Sequence, residues 1–125
     1  MNKMKILFIV SKVLFIGIFL SSGINKIFNF SGTAQYMASA GMPMPSLFLV
    51  GAIILLLAGS LSILFNYRQQ LGALLLIIFL IPTTLIFHNN LADQMQMIMF
   101  MKNVSILGGL IIYAVAGKEI SEKFQ

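Results

Sequence analysis

The sequence predicts an all-α integral membrane protein, a four-helix bundle with a short interfacial helix between its first and second spans. Three observations carry this. The 125 residues are 59% hydrophobic and only 9% charged, with a mean hydropathy of +1.00, whereas a soluble domain carries about 25% charged side chains. A core this small cannot hide eleven Phe, nine Met and long Leu/Ile runs from water. The apolar residues also fall into four runs, and the basic residues gather in the stretches that would share one side of a membrane.

The first run, Ile6 to Phe28, is interrupted only by Lys12, Asn25 and Lys26 as strongly polar residues. At 1.5 Å per residue it is long enough to cross a hydrocarbon layer of about 30 Å. The next stretch, Asn29 to Ser46, contains its own helix signals. Ser31 can cap a short helix running to Ala40, Gly41 can end it, and Pro43 and Pro45 forbid its continuation. Phe28, Phe30 and Tyr36 would anchor this segment at headgroup level. The second span is Leu47 to Phe65, and the polar turn Asn66 to Gln70 makes the third span, Leu71 to about His88, its antiparallel neighbour. Pro82-Thr83-Thr84 predicts a kink in that span, with a Thr hydroxyl satisfying freed backbone. The uncharged stretch Val104 to Gly117 is too short to cross by itself. The fourth span therefore has to start near Met97, with Lys102 and Asn103 in its outer third. The spans are thus about 6–28, 47–65, 71–88 and 97–117 of a single domain covering 1–125. Ser105 and Gly109, and Ala58 and Ser62, are small residues four apart that permit close helix contact.

With the N-terminus in the cytoplasm, Lys3, Lys5, Lys12, Arg68, Lys118 and Lys123 fall on or near the inner side, against Lys26 and Lys102 on the outer side. Both termini are expected in the cytoplasm. A cleaved signal peptide is the rival for the first 28 residues, but the apolar run is too long, and Ala38-Ser39-Ala40 lies about ten residues beyond it. The net charge of +5 comes from scattered residues that form no basic stripe, so nucleic acid is not an expected partner. The bilayer is. Zero Cys excludes disulfides, iron–sulfur ligation and thiol redox chemistry, and the lone His88 excludes a bis-His haem within one chain.

Several outer-side motifs resemble the DoxX family. They are Ser22-Gly23-Ile24-Asn25-Lys26, Gly32-Thr33-Ala34-Gln35-Tyr36-Met37, Gly41-Met42-Pro43-Met44-Pro45 and Phe87-His88-Asn89. Ala92-Asp93-Gln94-Met95-Gln96-Met97, Phe100-Met101-Lys102-Asn103 and Leu107-Gly108-Gly109 continue the match in order. The resemblance implies a four-helix bacterial inner-membrane protein. It also implies a link to quinone-coupled sulfur oxidation, as in the DoxD-type subunit of a thiosulfate:quinone oxidoreductase, or to membrane complexes that resist oxidative and thiol stress. Most members have no assigned activity. Members often carry a Glu in the second span shortly before a Gly pair, whereas Leu55-Leu56-Leu57-Ala58-Gly59-Ser60 here offers none.

An ionisable group inside a bilayer costs at least about 2.5 kcal/mol on insertion scales, so each one needs a reason to be there. Lys12 is explained by snorkelling to the inner boundary, and Lys26 and Lys102 have the same option on the outer side. Asn25, Lys26, His88, Asp93, Gln96, Lys102 and Asn103 are all expected at one depth, and they are the candidate ligand-binding residues. Two cations with Asp93 and several amides suit an anionic or carbonyl-bearing head group whose tail enters the bundle, as a quinone's would. Alternatively, Asp93 neutralises a lysine, the amides satisfy loop backbone and His88 caps the third helix. Met95, Met97, Met99 and Met101 alternate and would spread around a helix, so no metal site is expected from them. No self-contained catalytic set is visible. The expected function is an auxiliary or quinone-interacting subunit of a membrane redox or oxidative-stress system, with a redox enzyme as partner. The alternatives are a non-enzymatic scaffold docking a soluble partner and a small-molecule carrier. Self-association is left open.

Overall fold

The computed structural model describes residues 3–87 and 90–124, and among these the secondary structure is entirely helical. Five helices follow in order: α1 (Lys3–Phe28), α2 (Phe30–Ser39), α3 (Pro45–Leu64), α4 (Gln69–Phe87) and α5 (Gln94–Phe124). All but α2 are long and apolar enough to cross a membrane. A spanning helix must satisfy its own backbone polar groups, so hydropathy and length decide these four segments. The protein is therefore an integral membrane four-helix bundle with a short interfacial helix.

Packing follows the order α1–α3–α4–α5. α3 and α4 each lie between two neighbours, α2 rests mainly on α3, and α1 and α5 meet only sparsely. Ile16 and Phe19 of α1, Leu56 and Ile63 of α3, Ala73, Leu76 and Leu80 of α4, and Leu110 of α5 form the core. The α3–α4 contact is set by glycine. A Cβ on Gly59 would lie 2.9 Å from the Gly72 carbonyl oxygen, and one on Gly72 would lie 2.7 Å from the Ser62 Cβ. Lipid tails are as apolar as the core, so close approach of small residues, more than burial, holds such helices together. Gly59, Ser62 and Gly72 make this approach, while Ala58, expected to contribute, is exposed. Two polar ties join α4 to α5: Gln70 Nε2 donates to the Ala114 carbonyl at 2.9 Å and Asn103 Nδ2 to Thr84 Oγ1 at 3.0 Å.

Local chemistry sets the ends. α2 stops at a Schellman turn in which Gly41 (φ 89°) takes the left-handed position, with Met42 N–H donating to the Met37 carbonyl and Gly41 N–H to that of Ala38. α3 stops the same way with Asn66 (φ 55°), as Tyr67 N–H bonds the Ser62 carbonyl and Asn66 N–H that of Ile63. Ser31 does not cap α2. The cap position is Asn29, whose side chain reaches back to Asn25 instead. The backbone bonds Asn29 to Asn25 and Thr33 to Asn29 carry helical pairing through the junction, so few N–H groups need a cap. In α4 the Thr83 and Thr84 hydroxyls each bond a carbonyl four residues back, those of Phe79 and Leu80. The carbonyl that Pro82 deprives of its N–H partner is that of Ile78. α5 runs well past 97–117 at both ends. Asp93 Oδ1 accepts Met95 N–H at 2.9 Å and starts it early. Beyond Gly117, the i, i+4 pair Glu119 and Lys123 favours a helix that continues into water.

Candidate functional site

Helix direction decides where each intramembrane lysine can reach. Every Cα–Cβ bond tilts toward its helix's N-terminus. On α1, Lys26 near the far end of the span is therefore aimed back into the bundle. Its Nζ donates to Ser22 Oγ, one turn deeper, at 2.8 Å and lies 5.7 Å from the centre of the Phe79 ring. α5 runs the other way, so the same tilt aims Lys102 outward, and Lys102 is exposed.

Lys26 lines a cavity of about 500 Å³ between the end of α1, α2, α3 and α4. Among the described residues its other polar side chains are Thr33, Tyr36 and Thr83, and the rest of the described wall is apolar, including Phe48, Phe79 and Phe87. α2 supplies Thr33, Tyr36 and Met37 from one face, and Met37 and Met42, which the Schellman turn links, both belong to the wall. At the rim, Tyr36 stacks on Phe87 with ring centres 5.4 Å apart and planes at 24°, closing α2 onto the end of α4. Lys26 is the only charged residue among the described residues of the lining.

The other described candidates lie elsewhere. Asn25 is exposed and accepts from Asn29 Nδ2 at 2.7 Å. Asp93 caps α5. Asn103 is engaged with Thr84 between α4 and α5, and Gln96 keeps a buried Oε1 without a hydrogen-bond partner among the described residues. His88 lies outside the described residues. Of Lys26, His88, Asp93 and Lys102, expected to line one outer-facing cavity, Lys26 is among the described residues that line this one, and Asp93 and Lys102 are not. The described lining comes from α1 to α4 and the α2–α3 turn, whereas α5 packs mainly on α4 and meets α1 only sparsely. Thr33, Tyr36, Met37, Phe79, Pro82 and Thr83 were missed as site residues. Two signals pointed to them: the i, i+3, i+4 spacing on α2, and a proline within a span.

The opposite end of the bundle also departs from expectation. Lys12, expected to snorkel, is only 7% exposed. Its Nζ donates to Asn66 Oδ1 in the α3–α4 turn at 3.1 Å and sits 5.2 Å from the centre of the Phe8 ring. Ser121 of α5 donates to the same Asn66 oxygen at 3.4 Å.

Fold and cavity together define a small helical membrane protein with one cation set into an apolar pocket near one membrane face. The chain belongs to the DoxX family, whose model, described simply as DoxX, matches residues 8–89. That match contains every residue lining the cavity, while α5 lies beyond it. Among similar proteins, the inner membrane protein YqjF of Escherichia coli strain K12 is 38% identical over 109 residues, covering 87% of this chain and 82% of the relative. The inner membrane protein YphA of the same strain is 32% identical over 117 residues, covering 90% of this chain and 84% of that protein. No solved structure matches the chain.

Proposed function

We propose that this chain is an inner-membrane protein with both termini in the cytoplasm. Its outer cavity holds the head group of a quinone-class ligand, and the protein serves as an auxiliary subunit of a membrane redox or oxidative-stress system. The observation that carries the reading is the Lys26 ammonium, the one charged group among the described residues in the wall of an otherwise largely apolar cavity of about 500 Å³. Pockets for small amphipathic ligands have this composition, with a few polar groups that fix orientation and apolar walls that take the rest. An ammonium carries three donors, and Ser22 accepts one of them. The others suit a carbonyl oxygen, with the Thr33, Tyr36 and Thr83 hydroxyls nearby for a second polar group. Phe48, Phe79 and Phe87 offer flat apolar faces for a ring. When bound, a quinone supplies two-electron, two-proton redox chemistry. The chain's own residues hold and orient the ring and exclude water from it. The relatives' inner-membrane names and the Lys/Arg bias support the location.

Lipid extraction and mass spectrometry of gently purified protein test this reading. Quinone is expected with the wild type and with Lys102→Met, and is expected to be lost from Lys26→Met. A quinone-free wild type that copurifies a soluble partner would replace the reading with a docking scaffold. Equal retention by Lys26→Met would remove Lys26 from the site.

A further inference from the structure

At the end of the bundle away from Lys26, a second cavity of about 390 Å³ is lined by Lys5, Phe8 and Lys12 of α1, with Leu64, Asn66 and Phe124 among the other walls. Lys5, Phe8 and Lys12 follow the i, i+3, i+7 spacing of one helix face. Phe124 closes the far side by packing on Phe8, ring centres 5.6 Å apart. Among the described residues, Lys5 and Lys12 line this cavity and no acidic side chain does. Lys12 calls for an anion. It is 7% exposed, yet its hydrogen bond to protein goes to a neutral amide oxygen that also accepts from Ser121. A buried ammonium bound only to neutral oxygen is an incompletely compensated charge, and an anion entering the cavity would complete it.

Position narrows the anion's chemistry. Lys5 lies near the start of α1 and Lys12 seven residues further in, about 10 Å at helical rise, a separation that brackets the headgroup layer of one leaflet. The walls between them are apolar. A hydrated free anion gains nothing from Phe8, Leu64 and Phe124, whereas a phosphate diester carrying acyl chains gains from both the cations and the rings. Basic pockets between helices at a membrane face suit such head groups.

We propose that this cavity binds the phosphate of an anionic phospholipid, with Lys12 and Lys5 as its cationic contacts and Phe8 and Phe124 against its acyl chain. This does not depend on the quinone reading, because the two cavities lie at opposite ends of the bundle and share no residue.

The test uses the full chain in mild detergent, titrated separately with phosphatidylglycerol and phosphatidylcholine, with bound lipid counted by native mass spectrometry. Phosphatidylglycerol is expected to stay bound at concentrations where phosphatidylcholine does not. Lys5→Gln should weaken that preference about fivefold, the factor ascribed to one basic residue near an anionic surface, and Lys12→Met should weaken it further. Lys5→Gln changes no buried group, so it carries the test if Lys12→Met fails to fold. Lys118→Gln, an exposed cation outside the cavity, should leave the preference unchanged. Equal binding of the two lipids, or an equal loss in Lys118→Gln, overturns the proposal. Millimolar inorganic phosphate that displaces phosphatidylglycerol and protects the protein equally well would overturn the lipid assignment in favour of a soluble anion.

Discussion

Replacing Gly59 by Ala tests the packing on which the fold rests. The added Cβ would stand 2.7 Å from Leu76 Cγ and 2.9 Å from the Gly72 carbonyl oxygen, where ordinary contact begins near 3.4 Å. Leu76 is a side chain with rotamers available, but the Gly72 oxygen is backbone. α3 and α4 therefore have to separate by about 0.5 Å at this level, the difference between those two distances. Overpacking of this kind costs about 1–3 kcal/mol, and the better helix propensity of Ala returns at most about 1 kcal/mol. The expected net loss is thus up to about 2 kcal/mol, and about 1–3 kcal/mol relative to an alanine that gains the same propensity without the clash. Gly108→Ala is the matched control, since a Cβ there meets nothing within 4 Å, and it should be neutral or slightly stabilising. Reversible unfolding of both variants in mixed micelles makes the comparison. If Gly59→Ala is as stable as Gly108→Ala, the α3–α4 approach does not run through this glycine pair and the reasoning fails.

Four further outcomes are expected. Asn66→Ala should destabilise by about 1 kcal/mol more than Asn66→Gly, because glycine keeps the left-handed conformation at φ 55° while both lose the oxygen that Lys12 bonds. Adding Lys12→Met to Asn66→Gly should recover part of the loss, since removing both partners leaves no orphaned charge; micelle unfolding of the double variant checks this. Asp93→Ala should cost about 1 kcal/mol and Asp93→Asn much less, read by the same unfolding measurement, because the side-chain oxygen caps the start of α5 at Met95 N–H. Topology reporters fused after Lys123 and inserted at Met42 should report cytoplasmic and periplasmic sides respectively; the reverse pattern would invert the orientation drawn from the Lys/Arg bias.

The sequence by itself determined which segments span and where several of them stop. A spanning helix satisfies its backbone within one continuous segment, so a local property, apolar length, is enough to find it. Gly41 and Pro45 act at single backbone positions, and they end α2 and begin α3 where their chemistry requires. Position along a helix was legible for the same reason, because it follows from counting residues. The side of the bundle on which each residue lies was not. Of Lys26 and Lys102, only Lys26 is among the described residues lining the cavity of about 500 Å³, because that cavity is walled by α1 to α4 whereas α5 packs mainly on α4. That order depends on which surfaces interlock, above all Gly59 against Gly72, and these residues are separated in sequence by more than a turn of α3, the α3–α4 connection and most of a turn of α4. Lys12 makes the same point at the other end. Snorkelling was the sufficient account from α1 alone, but the oxygen that holds its ammonium comes from the α3–α4 turn, brought there only when three helices pack.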